Sequence, residues 1–182
     1  MEELGLVKSS IEKLKEIIKP NHKILEFGTG NLTLFLSQLC KKIKSIGNLK
    51  ENQKKILINI TKNNINNVNT VYFHRNQFKL LLRFIELLPN NYYDVLILNN
   101  SKYKYLNKFG GWRHILLEKC LPKLKNKSII LMNKYCTRFN YGDNLWKLQP
   151  NEVITKYLNN EWKYYTFNAS EEEGGGILWK WS

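Results

Sequence analysis

The chain has 182 residues, 43% of them hydrophobic and 13% aromatic, which supports one packed domain and excludes a disordered chain. No stretch approaches the roughly 20 consecutive apolar residues of a bilayer-spanning helix, and the acid-led start MEELGLVKSS does not read as a secretory signal. The 29 basic against 15 acidic residues give a net charge of +14, open to RNA or another polyanion, yet 25 of the 29 are scattered lysines and 24 residues are asparagine, a bias that an AT-rich genome also writes.

In chain order, Ser9 followed by Glu12 has the capping-box pattern, and Val7, Ile11, Leu14 and Ile18 keep helical spacing until Pro20 ends the run. KILEF (23–27) is a short apolar strand running into a glycine turn, and LTLFLSQLC (32–40) is the helix after it. KIKSI (42–46) is a second strand, 51–63 a second helix, and VNTVYFH (68–74) a third strand. QFKLLLRFIELL (77–88) is an amphipathic helix with Lys79, Arg83 and Glu86 as its polar stripe. YYDVLIL (92–98) is almost continuously apolar, as a strand buried on both faces requires. A polar, aromatic loop leads to a helix at 112–121, a turn at 122–127 and the fifth strand SIILM (128–132). NEVITKYL (151–158) is a short last helix, and WKYYTFN and GILWKW are two closing strands around the turn SEEEGG.

Strand and helix thus alternate along the whole of 1–182, an N-terminal helix at 1–20 leading into one α/β core at 21–182 without a repeat or linker. The expected fold is a doubly wound, mostly parallel seven-stranded sheet with an antiparallel C-terminal strand. Such sheets bind ligands beyond the carboxyl ends of their strands. The three cysteines, Cys40, Cys120 and Cys136, lack metal-ligand spacing, so idle thiols in the cytoplasm or another reduced intracellular compartment are expected.

LEFGTGNLTLFLS, YDVLILN, LEKCLPKLKNKSIILMNKY and the ending GGGILWKW together resemble the class I S-adenosylmethionine-dependent methyltransferases over nearly the whole chain, and most of all the small O-methyltransferases of the catechol and caffeoyl-ester type. The resemblance implies a Rossmann-like fold and S-adenosylmethionine as cofactor. Its turn would be lined by Glu26, Phe27, Gly28, Thr29, Gly30 and Asn31, with Glu26 reaching the cofactor's amino group. Gly28 and Gly30 let the backbone approach a ligand closely. A dinucleotide-binding protein would instead carry Gly-x-Gly-x-x-Gly and an acid after the second strand, whereas Thr33 and Gly47 stand here.

In the family an acid ends the second strand and grips the ribose. Here that position is Gly47, Asn99 follows the fourth strand, and Asn133 and Lys134 follow the fifth, where metal-dependent members carry carboxylates. A magnesium or calcium site, which needs carboxylate oxygens, is therefore not expected. Losing the ribose acid is expected to weaken the cofactor about tenfold to a hundredfold. Asn48, Asn76 or Gln77 can offer a neutral substitute, and an acid restored at Gly47 is expected to tighten binding.

For the chemistry, His74 and Lys134 are the candidate catalytic groups, against the plainer reading of surface residues. The loops 99–114 and 133–146 mix aromatic and cationic residues, suited to stacking and phosphate contacts. From them Asn100, Tyr103, Trp112, Arg113, Tyr135 and Arg138 are the candidate acceptor contacts. Two functions remain open: a metal-independent methyltransferase acting on a small-molecule or nucleic-acid hydroxyl or amine, or a degenerate relative that binds RNA or a protein partner without catalysis. No membrane association is expected.

Overall fold

The computed structural model describes residues 8–74, 76–99, 112–135, 150–167 and 175–181. In chain order the elements are α1 (Lys8–Ile17), β1 (Lys23–Phe27), α2 (Asn31–Ser37), β2 (Lys42–Gly47), α3 (Lys50–Lys62), β3 (Val68–Tyr72), α4 (Phe78–Leu87), β4 (Tyr93–Leu98), α5 (Trp112–Cys120), β5 (Leu124–Tyr135), α6 (Pro150–Tyr157), β6 (Trp162–Phe167) and β7 (Gly175–Trp181). Among the described residues they build one sheet in the order β3-β2-β1-β4-β5-β7-β6. The first five strands of that order run parallel, as the alternation of strand and helix predicts. β7 pairs antiparallel with β5 on one side and with β6 on the other.

The strands in the middle show why the sequence takes this form. Val95, Leu96, Ile97 and Leu98 are fully buried, and they alternate between two cores because successive side chains leave a strand on opposite faces. Val95 and Ile97 join Ile24, Ile43, Ile129 and Leu131 under Leu14, Leu32 and Leu36, which are carried by α1 and α2. Leu96 and Leu98 join Leu25, Phe27, Ile46, Ile130 and Met132 under Leu81 and Ile85 of α4 and Leu116, Leu117 and Cys120 of α5. Leu158 and Trp162, after α6, close that second core. Among the described residues both faces of the parallel strands are thus covered by helices, and ligands of such sheets bind beyond the carboxyl ends of the strands.

Three local expectations are corrected. α1 already includes Lys8, so Ser9 and Glu12 lie inside the helix rather than at its cap. α2 ends at Ser37, three residues early: Gln38 and Leu39 donate their N–H to Phe35 and Leu36 in tightened turns, and the Asn67 side chain takes the carbonyls of Ser37 (2.7 Å) and Cys40 (2.9 Å). β5 begins at Leu124 inside the segment expected to be a turn, with a register shift between Tyr93 and Val95 and Lys127 at a left-handed φ of 65°.

Lys123, just before β5, is buried although it is a lysine. Its Nζ donates to the carbonyls of Glu86 (2.9 Å) and Leu88 (2.8 Å) and to Asn90 Oδ1 (2.7 Å), closing the C-terminal end of α4. Lys123→Met keeps the aliphatic stem and strips these donors, so urea unfolding should show a loss of about 1–3 kcal/mol. An unchanged midpoint would mean that water serves those carbonyls equally well.

Candidate functional site

The rim of the sheet is built around the turn that follows β1. Gly28 holds a φ of 117°, a conformation that side chains rarely adopt, and its N–H donates to the Ile46 carbonyl at 2.8 Å. On the other side the Asn99 N–H donates to the Phe27 carbonyl at 3.0 Å, so the turn is fixed between the ends of β2 and β4. Thr33, in the first turn of α2, accepts the Gly30 N–H at 3.1 Å and donates its hydroxyl to Glu26 Oε2 at 2.7 Å. Thr29 and Ser45 share a hydrogen bond of 2.8 Å. Glu26, Thr29, Thr33 and Ser45, from β1, the turn, α2 and β2, thereby form one buried polar cluster directly under the glycine turn.

Glu26 is fully enclosed. Loss of water pushes its carboxyl up to about 7, against the smaller opposing pull of hydrogen bonds from Ser45 and Thr33. Its second oxygen, Oε1, is buried without a hydrogen-bond partner among the described residues. The carboxyl therefore sits beneath the turn and tethers it through Thr33. The strand pattern alone does not reveal that depth.

Gly30, in the turn, and Gly47, where the resemblance expects an acid, differ in what surrounds them. A Cβ placed on Gly30 would meet nothing nearer among the described residues than the Gly28 carbonyl at 3.9 Å, so position 30 itself is uncrowded by them. A Cβ on Gly47 would lie 2.8 Å from both Thr29 Oγ1 and Gln53 Oε1 and 2.9 Å from Thr29 Cβ. Position 47 is therefore filled by its neighbours. An acid restored there would require Thr29 or Gln53 to move, a steric cost that the sequence does not show.

Gln53 is the residue that the sequence reading missed. It is buried on α3 alongside Ile56, and its Oε1 has no partner among the described residues. A glutamine three residues before Ile56 on the helix's inward stripe is a sequence signal that could have found it.

Of the remaining candidates, Asn48 and Asn99 are buried directly after β2 and β4, and Asn31 opens α2. Arg113 is buried in the first turn of α5. His74 and Asn76 lie in an exposed turn after β3, where the His74 Nδ1 accepts the Asn76 N–H at 3.3 Å and Gln77 Oε1 accepts the His74 N–H at 2.9 Å. β3 is the edge of the sheet, with β2 between it and β1, so this turn lies apart from the glycine turn. Lys134 and Tyr135 end β5, and Trp112 begins α5. Asn100, Tyr103 and Arg138 lie outside the described residues. Among the described residues no three His, Cys, Asp or Glu side chains gather as a metal site.

The thiols of Cys40 and Cys120 are free, and burial raises both, Cys40 to about 11. Among the described residues no helix is long and apolar enough to cross a membrane. A groove of about 740 Å³ opens at the other end of the sheet, lined by Ser37, Gln38, Lys41 and residues 63–67, and it contains none of the candidate residues.

No family model and no curated protein matches the sequence. Solved structures match the fold across almost the entire chain. An O-methyltransferase from Bacillus cereus in complex with S-adenosylhomocysteine aligns over 97% of this chain and 82% of its own, with a TM-score of 0.72 and 15% identity. A putative methyltransferase from Streptococcus mutans, also with S-adenosylhomocysteine, covers 95% of this chain and 96% of its own, with a TM-score of 0.67 and 14% identity. An rRNA methylase from Streptococcus thermophilus covers 95% and 93%, with a TM-score of 0.58 and 16% identity. The fold of this chain is that of the class I S-adenosylmethionine-dependent methyltransferases.

Proposed function

We propose that this chain holds S-adenosylmethionine on its glycine turn and directs methyl transfer, without a metal, to a hydroxyl or amine acceptor. One observation carries the reading: at the glycine turn and beside the end of β2, Glu26 Oε1 and Gln53 Oε1 are buried acceptors without partners among the described residues. A buried acceptor left unmade costs about 1–3 kcal/mol, which a suitable donor recovers. The cofactor carries such donors, an ammonium group and two ribose hydroxyls, so the residues present suit it. When bound, it supplies a methyl group on a positively charged sulfur.

In this reading Glu26 faces the ammonium end, and the backbone of Phe27, Gly28, Thr29, Gly30 and Asn31 lines the cradle. Asn48 and Asn99 border the nucleoside. Asn76 belongs to a separate turn and contributes least. Asn100, Tyr103, Trp112, Arg113, Tyr135 and Arg138 flank the acceptor. Lys134 is the candidate to polarise an acceptor hydroxyl, because it ends the strand next to β4, where the acceptor loops leave the sheet. His74, on the opposite edge, is the less suited base. An in-line displacement draws much of its rate from such positioning. Amides and a lysine at 99, 133 and 134 argue for metal independence. The likeness to proteins described as an O-methyltransferase and an rRNA methylase supports a small-molecule or nucleic-acid acceptor. Free, buried Cys40 and Cys120 support a reduced intracellular location.

A second reading, RNA binding or an accessory role without catalysis, is favoured by the +14 charge together with the loss of acids at positions 47, 99 and 133. Calorimetric titration with S-adenosylmethionine and S-adenosylhomocysteine separates the two. Saturable heat is expected from both ligands. No heat at millimolar ligand rejects the enzyme, and salt-sensitive RNA binding beside that silence favours the accessory role.

A further inference from the structure

We infer that Gln53 is the residue that binds the ribose hydroxyls of the cofactor, reaching the site from helix α3. The inference rests on the reading of the glycine turn as the S-adenosylmethionine cradle.

Gln53 is the fourth residue of α3, held there by its N–H to the Leu49 carbonyl at 3.1 Å. Only Gln53 and Ile56 of this helix are buried. An uncharged helix stripe gains most from an aliphatic side chain at such a position, yet an amide occupies it. The amide oxygen has no partner among the described residues. The Thr29 hydroxyl, which shares a hydrogen bond with Ser45 at 2.8 Å, is not among its partners.

The companion observation is Gly47. A Cβ there would stand 2.8 Å from Gln53 Oε1, so the glycine and the glutamine form a matched pair. The missing side chain on the strand is what admits an acceptor from the helix. The acceptor is neutral and single, which suits a hydroxyl or N–H donor and does not suit a metal ion. It lies at the end of β2, next to the turn on which the cofactor is proposed to rest. To meet a ribose hydroxyl the carboxamide turns away from Gly47, a change of side-chain torsions alone. Asn48 and Asn99, also buried at this rim, add neutral polar groups and no charge.

The test titrates the full chain and its variants with S-adenosylhomocysteine and with the 2′,3′-dideoxy form of that compound. Wild-type protein should prefer the ribose ligand by about tenfold. Gln53→Ala should erase that preference by weakening the ribose ligand alone. Gln53→Glu, equal in size, should tighten the ribose ligand several-fold through a charge-assisted hydrogen bond. Gln53→Leu fills the space without an acceptor, and it takes the place of the alanine variant if thermal melting shows that the alanine variant does not fold. Equal weakening of both ligands by Gln53→Ala or Gln53→Leu overturns the assignment and leaves the cofactor reading intact. Wild-type protein that binds neither ligand overturns the cofactor reading and the assignment with it.

Discussion

Replacing Glu26 by glutamine should abolish a stability loss of roughly 3 kcal/mol that the wild-type chain undergoes as the pH rises from about 4.5 to about 7. The folded chain holds this carboxyl up to about 7 because it is fully buried, whereas the unfolded chain releases the proton near 4.5. Between those values the folded state binds more protons than the unfolded one, so stability falls with rising pH. The stabilising protonated state is fully present below 4.5 and is lost as the pH passes through about 7. Glutamine fills the same volume, keeps an oxygen to accept the Thr33 hydroxyl, and never ionises. Its pH profile should lack this loss, and its stability should rise relative to the wild type over this interval and exceed it at pH 8. Urea unfolding of both proteins at several pH values between 4 and 8 measures the difference directly. Parallel curves would mean that Glu26 is hydrated in solution. The same logic reaches the ligand: a bound ammonium near Glu26 favours the ionised carboxylate, so wild-type affinity for S-adenosylmethionine should climb through pH 7. The glutamine variant should lack that climb.

The alternation of strand and helix was legible because the buried parallel strands are short, nearly continuous apolar runs, as in YDVLIL at β4, between longer stretches with helical spacing. The glycine turn was legible too, since Gly28 at a φ of 117° is a position where glycine is close to obligatory. What the sequence hid was depth and company. Glu26 looks like any acid at a strand end until α2 and β2 close over it with Thr33 and Ser45. Gly47 invited comparison with a missing acid, because the residues that occupy its space come from the turn after β1 and from α3. Lys123 was expected in a turn, and its burial depends on acceptors around the end of α4, more than thirty residues earlier in the chain. Each of these contacts joins elements distant in sequence, and periodicity within one element carries no information about them.

Gly47→Glu should lower stability by about 1–3 kcal/mol and weaken S-adenosylmethionine, even though it adds the carboxylate whose absence drew attention to the position. The added Cβ would stand within 2.9 Å of Thr29 Cβ and nearer still to Thr29 Oγ1 and Gln53 Oε1. Thr29 cannot retreat without giving up its 2.8 Å hydrogen bond to Ser45 and disturbing the turn that follows Gly28. Gln53 can retreat, because it hangs from the helix by flexible torsions. Gly47→Ala isolates the steric part and should show most of the destabilisation. Combining Gly47→Ala with Gln53→Ala removes one of the clashing atoms, so the double variant should be more stable than the sum of the two single losses allows. Additive losses would mean that Gly47 and Gln53 do not share this space in solution. Tighter binding by Gly47→Glu would be the more damaging result, since it would restore position 47 as the ribose-holding site and remove the reason for an acceptor on α3.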